Sequence, residues 1–356
     1  MREKKATIED VAKRAGVSLS TVSAVLNRLN VVKPDTRQRI LAAIKQLKYH
    51  PNLYASNLAR RRTRILGLIV SDIVNPFFAE TARAIEREAS ARGYRVSLAA
   101  TGFSPEQLRS WVSQMIATRV AGLAVMTSES DEEAMQVIRS QALPTVFLDV
   151  GVVSKTISNI RVDTRSGLFQ SVCHLVELGH KQILFVRNSP IEAVQRDLLS
   201  HKLRHEGFSA AIRKFRSRGV EGTVIDHPGD GAMSGLQAIH QTAGKLPFTA
   251  VVAINDSVAI GVYRGLDDAG YQIPNDVSVV GFDNTHLCEF LNPPLTTVNI
   301  PRDVLGQMVV STLIKTAETQ EPGQELVLGT ELVVRKSTSS ATTRGARPRG
   351  RNTLRA

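Results

Sequence analysis

From Ile65 onward the chain alternates short apolar runs with amphipathic stretches, and this alternation limits the fold more than any other feature. The apolar runs are ILGLIVSD, YRVSLAATG, AGLAVMTS, TVFLDV, ILFVRN, GTVIDHP, AVVAIND and VSVVGFD. Segments such as FFAETARAIEREASARG and SPEQLRSWVSQMIATR, with helical spacing of their apolar residues, separate most of them. Strands alternating with helices imply parallel sheets covered on both faces, an α/β architecture. Ligands in such folds collect at the carboxyl ends of the strands. The residues just after these runs are Ser71 to Phe78, Asp149, Arg187-Asn188, Asn255-Asp256 and Asp283-Asn284. Aromatic rings beside carboxamides and carboxylates suit a polyhydroxylated or heterocyclic small molecule.

The first 64 residues follow a different pattern. In TIEDVAKRAGVSLSTVSAVLN, Thr7 is a candidate N-cap with Asp10 three residues on, and Val11, Ala12 and Ala15 form an apolar stripe. Gly16 ends that helix, and Ser18 can cap a second one. Its Val22, Val25 and Leu26 face inward, leaving Leu19, Ser20, Thr21 and Ala24 outside. Helix, glycine turn and second helix is the pattern in which the start of the second helix reaches base edges in the major groove, although an ordinary helical hairpin shares it. A third helix starts near Pro34 and runs through TRQRILAAIKQLKY, with Ile40, Ile44 and Leu47 on one side. The segment NLYASNLARRRT is too short and too weakly amphipathic to be a stable helix alone, and reads either as a linker or as a helix that orders on DNA.

Charge is segregated in the same way. Of 45 lysines and arginines, fifteen lie in residues 1–64 against four acids, a net of +11, and residues 340–356 carry five arginines and no acid. The body between them therefore holds −4 of the overall +12, as expected of a DNA reader joined to a separate sensor. At 356 residues and 42% hydrophobic content, two or three cores are expected. The N-terminus has no signal-peptide pattern, and no apolar run approaches the roughly 20 residues that span a bilayer, so a cytoplasmic location is expected. Cys173 and Cys288 lie in apolar surroundings without metal-ligand spacing and read as reduced core residues. From Ser337 the chain is rich in Ser, Thr, Gly and Arg without periodicity, and a disordered tail is expected.

Five segments carry a family resemblance: TIEDVAKRAGVSLSTVSAVLN, TRQRILAAIKQLKYHPNLYASNLA, TRILGLIVSDIVNPFF, NDSVAIGVYRGLDDAGYQIPNDVSVVGFDN and PPLTTV. Together they resemble the lactose/purine repressor (LacI) family of bacterial transcription regulators over residues 6 to about 338. The resemblance implies a three-helix helix-turn-helix domain (1–50), a hinge helix and linker (51–62), a two-lobed effector-binding and dimerisation domain like periplasmic sugar-binding proteins (63–338), and a basic tail (339–356). It implies a repressor of transcription, a homodimer or tetramer, whose affinity for a pseudo-palindromic double-stranded operator is controlled by a sugar-like or purine-like effector bound between the lobes. Neither enzymatic activity nor a cofactor, metal or membrane partner is expected.

Carried over by motif, DNA contacts fall to Thr7, Ser18, Leu19, Ser20, Thr21, Ser23, Ala24 and Asn27. Of these, Ser18, Ser23 and Asn27 match phosphate contacts, and Leu19, Ser20 and Ala24 match base-reading positions. The hinge spans Asn52 to Ala59, includes Ala55, and offers Leu58 as a minor-groove wedge. Effector contacts fall to Phe77, Phe78, Asp163, Arg204, Asn255 and Asp283. This chain departs from relatives at Asp230, where some have an aromatic ring, and in RNSPIEAVQRDLLSHKLR, which is longer than usual.

Other readings are weaker. Gly229 to Gly235 resembles a dinucleotide loop, but it comes late in the chain and has no clear acidic ribose partner. His201 and His205, four apart beside Glu206, have the spacing of zinc ligands but no third ligand, and a solvated helical face is favoured. A binding protein without DNA should have an export signal and no counterpart of residues 1–62.

Overall fold

The computed structural model describes residues 6–26, 31–49, 63–127, 129, 131–189, 199–229, 231–319 and 321–341. The chain divides into two units between Thr63 and Arg64. In the first, α1 (Ile8–Ala15), α2 (Leu19–Leu26) and α3 (Pro34–Gln46) enclose a small core of Val11, Ala12, Ala15, Val22, Val25, Ile40 and Ala43. Thr7 and Asp10 form a reciprocal capping box at the start of α1. Gly16 ends that helix at φ 64°, a left-handed conformation that costs glycine least, and turns the chain into α2.

The second unit contains two six-stranded sheets. The first lobe begins with β1 (Ile65–Val70), α4 (Pro76–Ala91), β2 (Arg95–Ala100), α5 (Pro105–Ala117), β3 (Gly122–Met126), α6 (Glu132–Ser140), β4 (Thr145–Leu148) and β5 (Ile157–Val162). The chain then crosses into the second lobe. There it forms α7 (Thr164–Glu177), β6 (Gln182–Ser189), α8 (Leu199–Phe215), β7 (Glu221–Pro228), α9 (Gly231–Thr242), β8 (Ala250–Ala253), α10 (Asp256–Asp268), β9 (Ser278–Asp283) and β10 (Thr296–Asn299). It returns through α11 (Arg302–Thr319), which packs on α4, to β11 (Glu325–Leu328) in the first sheet, and crosses a third time to β12 (Glu331–Val333) in the second. The sheet orders are β11-β5-β4-β3-β1-β2 and β12-β10-β9-β8-β6-β7, parallel throughout except where β12 runs against β10.

The eight apolar runs of the sequence all form strands. β3 and β8 are buried along their whole length, as strands covered by helices on both faces must be. β5 and β10 to β12 have weaker sequence signatures. ISNIRV in β5 places Ser158 and Asn159 inside the protein, where Ser158 Oγ accepts from Gln324 N–H and Asn159 Oδ1 from Val150 N–H. Helix starts follow the expected chemistry: Asn75, Ser104, Asp131 and Asn255 each accept a backbone N–H at the first turn of α4, α5, α6 and α10.

One expectation is corrected. The chain from Ser337 to Ala341 is docked on the second lobe rather than disordered. Ser337 is fully buried, its Oγ donating to Val279 O and accepting from Thr296 N–H. The Ser339 carbonyl accepts at His180, and Ala341 N–H donates to Leu178 O. These side chains are short and polar, so no apolar period marks the segment; hydrogen bonds of its backbone and its hydroxyls hold it.

The glycine run after β7 serves helix packing. A Cβ on Gly261 of α10 would lie 1.7 Å from the Ala232 carbonyl oxygen of α9, and one on Gly235 would lie 2.1 Å from Val258 O. Gly261→Ala must push two helices apart and should destabilise the protein by about 3 kcal/mol, the upper range of overpacking costs. Gly329→Ala, where an added Cβ meets nothing within 4 Å, should be nearly neutral. Urea unfolding of the two variants checks the contrast.

Candidate functional site

The first unit offers a helix face and a helix N-terminus. Ser18 caps α2, its Oγ accepting the Thr21 N–H at 3.2 Å and lying 2.8 Å from the hydroxyls of Ser20 and Thr21. Unpaired N–H groups at a helix start favour an anion such as phosphate. Leu19 and Ser20 are exposed, and Thr21, Ser23 and Ala24 are half-buried on the same helix. Ser20, Thr21 and Ala24 line a shallow groove with Val31, Val32, Lys33 and Thr36. Thr7 is exposed, and its hydroxyl bonds to Asp10 and so fixes the start of α1. Asn27, Asn52, Ala55 and Leu58 lie outside the described residues, as does Asp230.

In the second unit, parallel strands bring the polar residues of both lobes to their carboxyl ends. The second lobe is organised by Arg204 on α8, nine-tenths buried. Its Nη1 donates to Ile254 O at 2.6 Å, its Nη2 lies 3.3 Å from Asp283 Oδ1, and its guanidinium sits 4.1 Å from the centre of the Phe282 ring. One side chain thus joins the ends of β8 and β9, with the cation over an aromatic face. Burial raises the Asp283 carboxyl well above the usual range; Arg204 opposes this and neighbouring Asp256 adds to it. Asp256 is itself structural, accepting from Thr297 Oγ1 at 2.6 Å and Thr285 N–H at 2.7 Å.

Beside this pair, Arg187 at the end of β6 forms a two-pronged contact with Asp226 of β7, at 2.8 and 2.5 Å. His201 belongs here too. Burial, together with Arg204 and Arg187, pushes it down to about 3, so it is a neutral ring within the site. The solvated helical face expected here is therefore corrected for His201, whereas His205 is half-buried; among the described residues no cluster could hold a metal ion. Three buried atoms around these residues have no partner among the described residues: Arg204 Nε, Asn188 Oδ1 and His205 Nδ1. Leaving such an atom unmatched costs about 1–3 kcal/mol, so a bound molecule or water is expected to meet them.

The first lobe contributes a carboxylate absent from the sequence expectations. Glu129, 5% exposed beyond the end of β3, accepts from Ser71 Oγ at 2.9 Å and from Thr101 Oγ1, which joins the ends of β1, β2 and β3. Its surroundings in the sequence, TSES, give no strand or cap signal, and only the sheet order places it. Asp149, at φ 56° after β4, accepts the Val162 N–H at 2.8 Å. Burial pushes it up to about 6 against that hydrogen bond.

Of the expected effector residues, Arg204, Asn255 and Asp283 are brought together, Asn255 directly following the carbonyl that Arg204 holds. Asn255 Oδ1 is occupied by the Val258 N–H. Phe77 is a core residue, its ring edge-on to half-buried Phe78 at 5.4 Å. Asp163 stands at the first crossing, where it caps α7, donates its N–H to Leu328 O and accepts from Thr330 Oγ1.

The Asp149 geometry gives a test with a definite sign. Folded Asp149 keeps its proton at a pH where the unfolded chain has released it, so its contribution to stability is lost as pH rises from about 4 to about 6. Asp149→Asn retains an acceptor for Val162 without the titrating proton. Its stability relative to the parent should rise over that window by up to about 3 kcal/mol in urea unfolding at stepped pH. Parallel curves for the two proteins would refute the assignment.

Residues 7–52 match the family described as "Bacterial regulatory proteins, lacI family", and residues 172–338 match the "Periplasmic binding protein-like domain". The HTH-type transcriptional repressor PurR of Mannheimia succiniciproducens is 33% identical over 339 residues, covering 93% of this chain and 98% of that protein. PurR of Haemophilus influenzae is also 33% identical, covering 94% and 99%. Among solved structures, the lac repressor dimer bound to operator and an anti-inducer has 30% identity and a TM-score of 0.79, covering 94% of this chain and all of that one. A ribose-bound regulator from Enterococcus faecium has 28% identity and a TM-score of 0.67, covering 78% of this chain and all of that one. Neither the relatives nor the fold points to an enzyme. This chain belongs to the lacI family of bacterial regulatory proteins, and it is a DNA-binding regulator of transcription with a two-lobed sensor.

Proposed function

We propose that this chain is a cytoplasmic homodimeric repressor that grips a pseudo-palindromic operator through residues 1–62 and adjusts that grip when a small polyhydroxylated or purine-like effector enters between its lobes. The observation that carries the reading is the Arg204–Asp283 pair, set at converging strand ends beside Arg204 Nε, Asn188 Oδ1 and His205 Nδ1. Carboxylates at Asp149, Asp283 and Glu129 accept from hydroxyl or ring N–H groups, while guanidiniums donate. Solved relatives with bound ribose and with cellobiose, each 28% identical, favour a sugar-like ligand.

The proposed division is a helix-turn-helix domain over 1–50, a hinge over 51–62 with Leu58 as its wedge, and a sensor over 63–338. In the mechanism, the effector prefers one arrangement of the lobes. Its unequal affinity for the two arrangements shifts their populations, and with them the order of the hinge.

A thermal-shift screen of the full chain against sugars, sugar phosphates and purines identifies the effector class, since a ligand of the folded state raises the melting point. With the compound so found, Asp283→Ala and Arg204→Ala should each weaken binding about 10- to 100-fold by calorimetry, roughly 1–3 kcal/mol. Unchanged affinity in both variants places the pocket elsewhere.

DNA binding is tested with a duplex selected by the full chain from a random library. Affinity should fall steeply with rising salt as condensed counterions are displaced. A chain lacking residues 1–62 should lose the duplex and still fold. Specific binding by the truncated chain sinks the assignment.

A further inference from the structure

The polypeptide around Asp283 is held from the opposite lobe. At the end of β9, Asp283 has φ 108° and Asn284 φ 54°, two successive non-glycine residues with positive φ. Such a turn is strained and persists only where its surroundings fix it. Asp256, Asn299 and Arg335 hold residues 284 and 285 from within the second lobe, and Arg302 holds the turn from outside it, its Nη1 and Nη2 donating to the carbonyl oxygens of Asp283 and Asn284. Arg302 opens α11, immediately after the second crossing. Its Nε in turn pairs at 3.0 Å with Glu80 Oε2 on α4 of the first lobe. The other oxygen of Glu80 accepts the backbone N–H of His286 at 3.0 Å and lies 2.6 Å from His286 Nδ1, in the turn that follows Asp283. One carboxylate of the first lobe therefore holds both the crossing arginine and the turn that aims Asp283.

We propose that Glu80 is a positioning residue that couples the Asp283 end of the effector pocket to closure of the lobes, acting through Arg302 and the 284–286 turn. A ligand that draws on the Asp283 carboxylate moves a backbone whose carbonyls Arg302 holds, and Arg302 is anchored across the cleft. The lobes separate only if Arg302, which Glu80 orients, releases the Asp283 and Asn284 carbonyls and Glu80 releases the His286 amide. Glu80 thus sets how much of the closed arrangement exists before any effector arrives, and hence the apparent affinity of whatever binds it. The nearby Arg87–Asp303 pair, 2.6 Å apart, ties α4 to α11 without reaching the second lobe, and its two side chains are mostly exposed.

The test is hydrogen exchange of the full chain without ligand, comparing the parent with Glu80→Ala, Glu80→Gln and Arg87→Ala. Alanine at position 80 suits a helix interior, so α4 should persist. Glu80→Ala should speed exchange at least fivefold in peptides covering 283–291, 299–303 and 328–333, the turn and two crossings, and leave β8 unchanged. Glu80→Gln keeps an acceptor for His286 but no charge for Arg302, and should be intermediate. Arg87→Ala should match the parent. Acceleration confined to residues 285–287, or a Gln variant identical to the parent, would overturn the proposal and leave Glu80 as a local brace. The inference rests on the effector reading of Asp283, yet the measurement contains no effector. Unchanged ligand binding in Asp283→Ala therefore defeats the pocket alone, and unchanged exchange at the crossings defeats the coupling alone.

Discussion

Parallel strands have all their carboxyl ends on one side, so two such sheets form a usable cleft only if the chain that joins them keeps those ends facing. Three crossings do this here, and each is fixed by side chains rather than by apolar packing alone. At the first, Asp163 caps α7, donates its N–H to Leu328 O and accepts from Thr330, so the first and third crossings are bonded to each other. Asn299, before the second, accepts from Asn284 Nδ2 and donates to Glu331. A joint made of directional bonds has discrete arrangements, which is what a two-state sensor needs; a joint of apolar contacts would yield by degrees. Asp163 thus has a structural duty at the crossing whether or not it touches a ligand.

Much of the fold was legible because burial on both sheet faces leaves a plain trace, an unbroken apolar run, and because caps such as Asn75, Ser104 and Asn255 are chemically distinctive. Legibility failed where polar residues are buried and matched across long sequence distances. Ser158 meets Gln324, Thr296 meets Ser337, and Glu129 is held by Ser71 and Thr101. No local pattern announces such pairs, since each partner alone reads as a surface residue. His201 illustrates the same limit, for its neutral state follows from burial beside two guanidiniums that come from α8 and from β6.

The cleft balances its charges in a way that bears on selectivity. Arg187 and Arg204, at the strand ends of the second lobe, each already face a carboxylate, and among the described residues Glu129 of the first lobe is held by hydroxyls alone. A phosphate group entering here would compete with Asp226 or Asp283 for its guanidinium and would meet uncompensated carboxylate beyond. Groups that donate hydrogen bonds gain from the same arrangement without displacing an ion pair. In the proposed pocket the physical preference is for uncharged donors, which favours free sugars and nucleobases over their phosphorylated forms.

On the DNA side, the exposed start of α2 presents Leu19, Ser20 and Thr21, with Ala24 one turn further on. A serine or threonine hydroxyl satisfies donors and acceptors of several bases, and Leu and Ala offer only apolar contact, as to a thymine methyl. Bidentate pairing, worth about 1–3 kcal/mol of discrimination per base pair, needs the longer forks of Arg, Asn or Gln, which α2 lacks at these positions. In the proposed dimer, discrimination then comes from other sources: half-site spacing, and the sequence-dependent cost of bending DNA around the proposed hinge. Both depend on how two copies are held together rather than on any single side chain. Under the proposed mechanism, a sensor that alters lobe geometry acts on these sources of discrimination rather than on the side chains of α2.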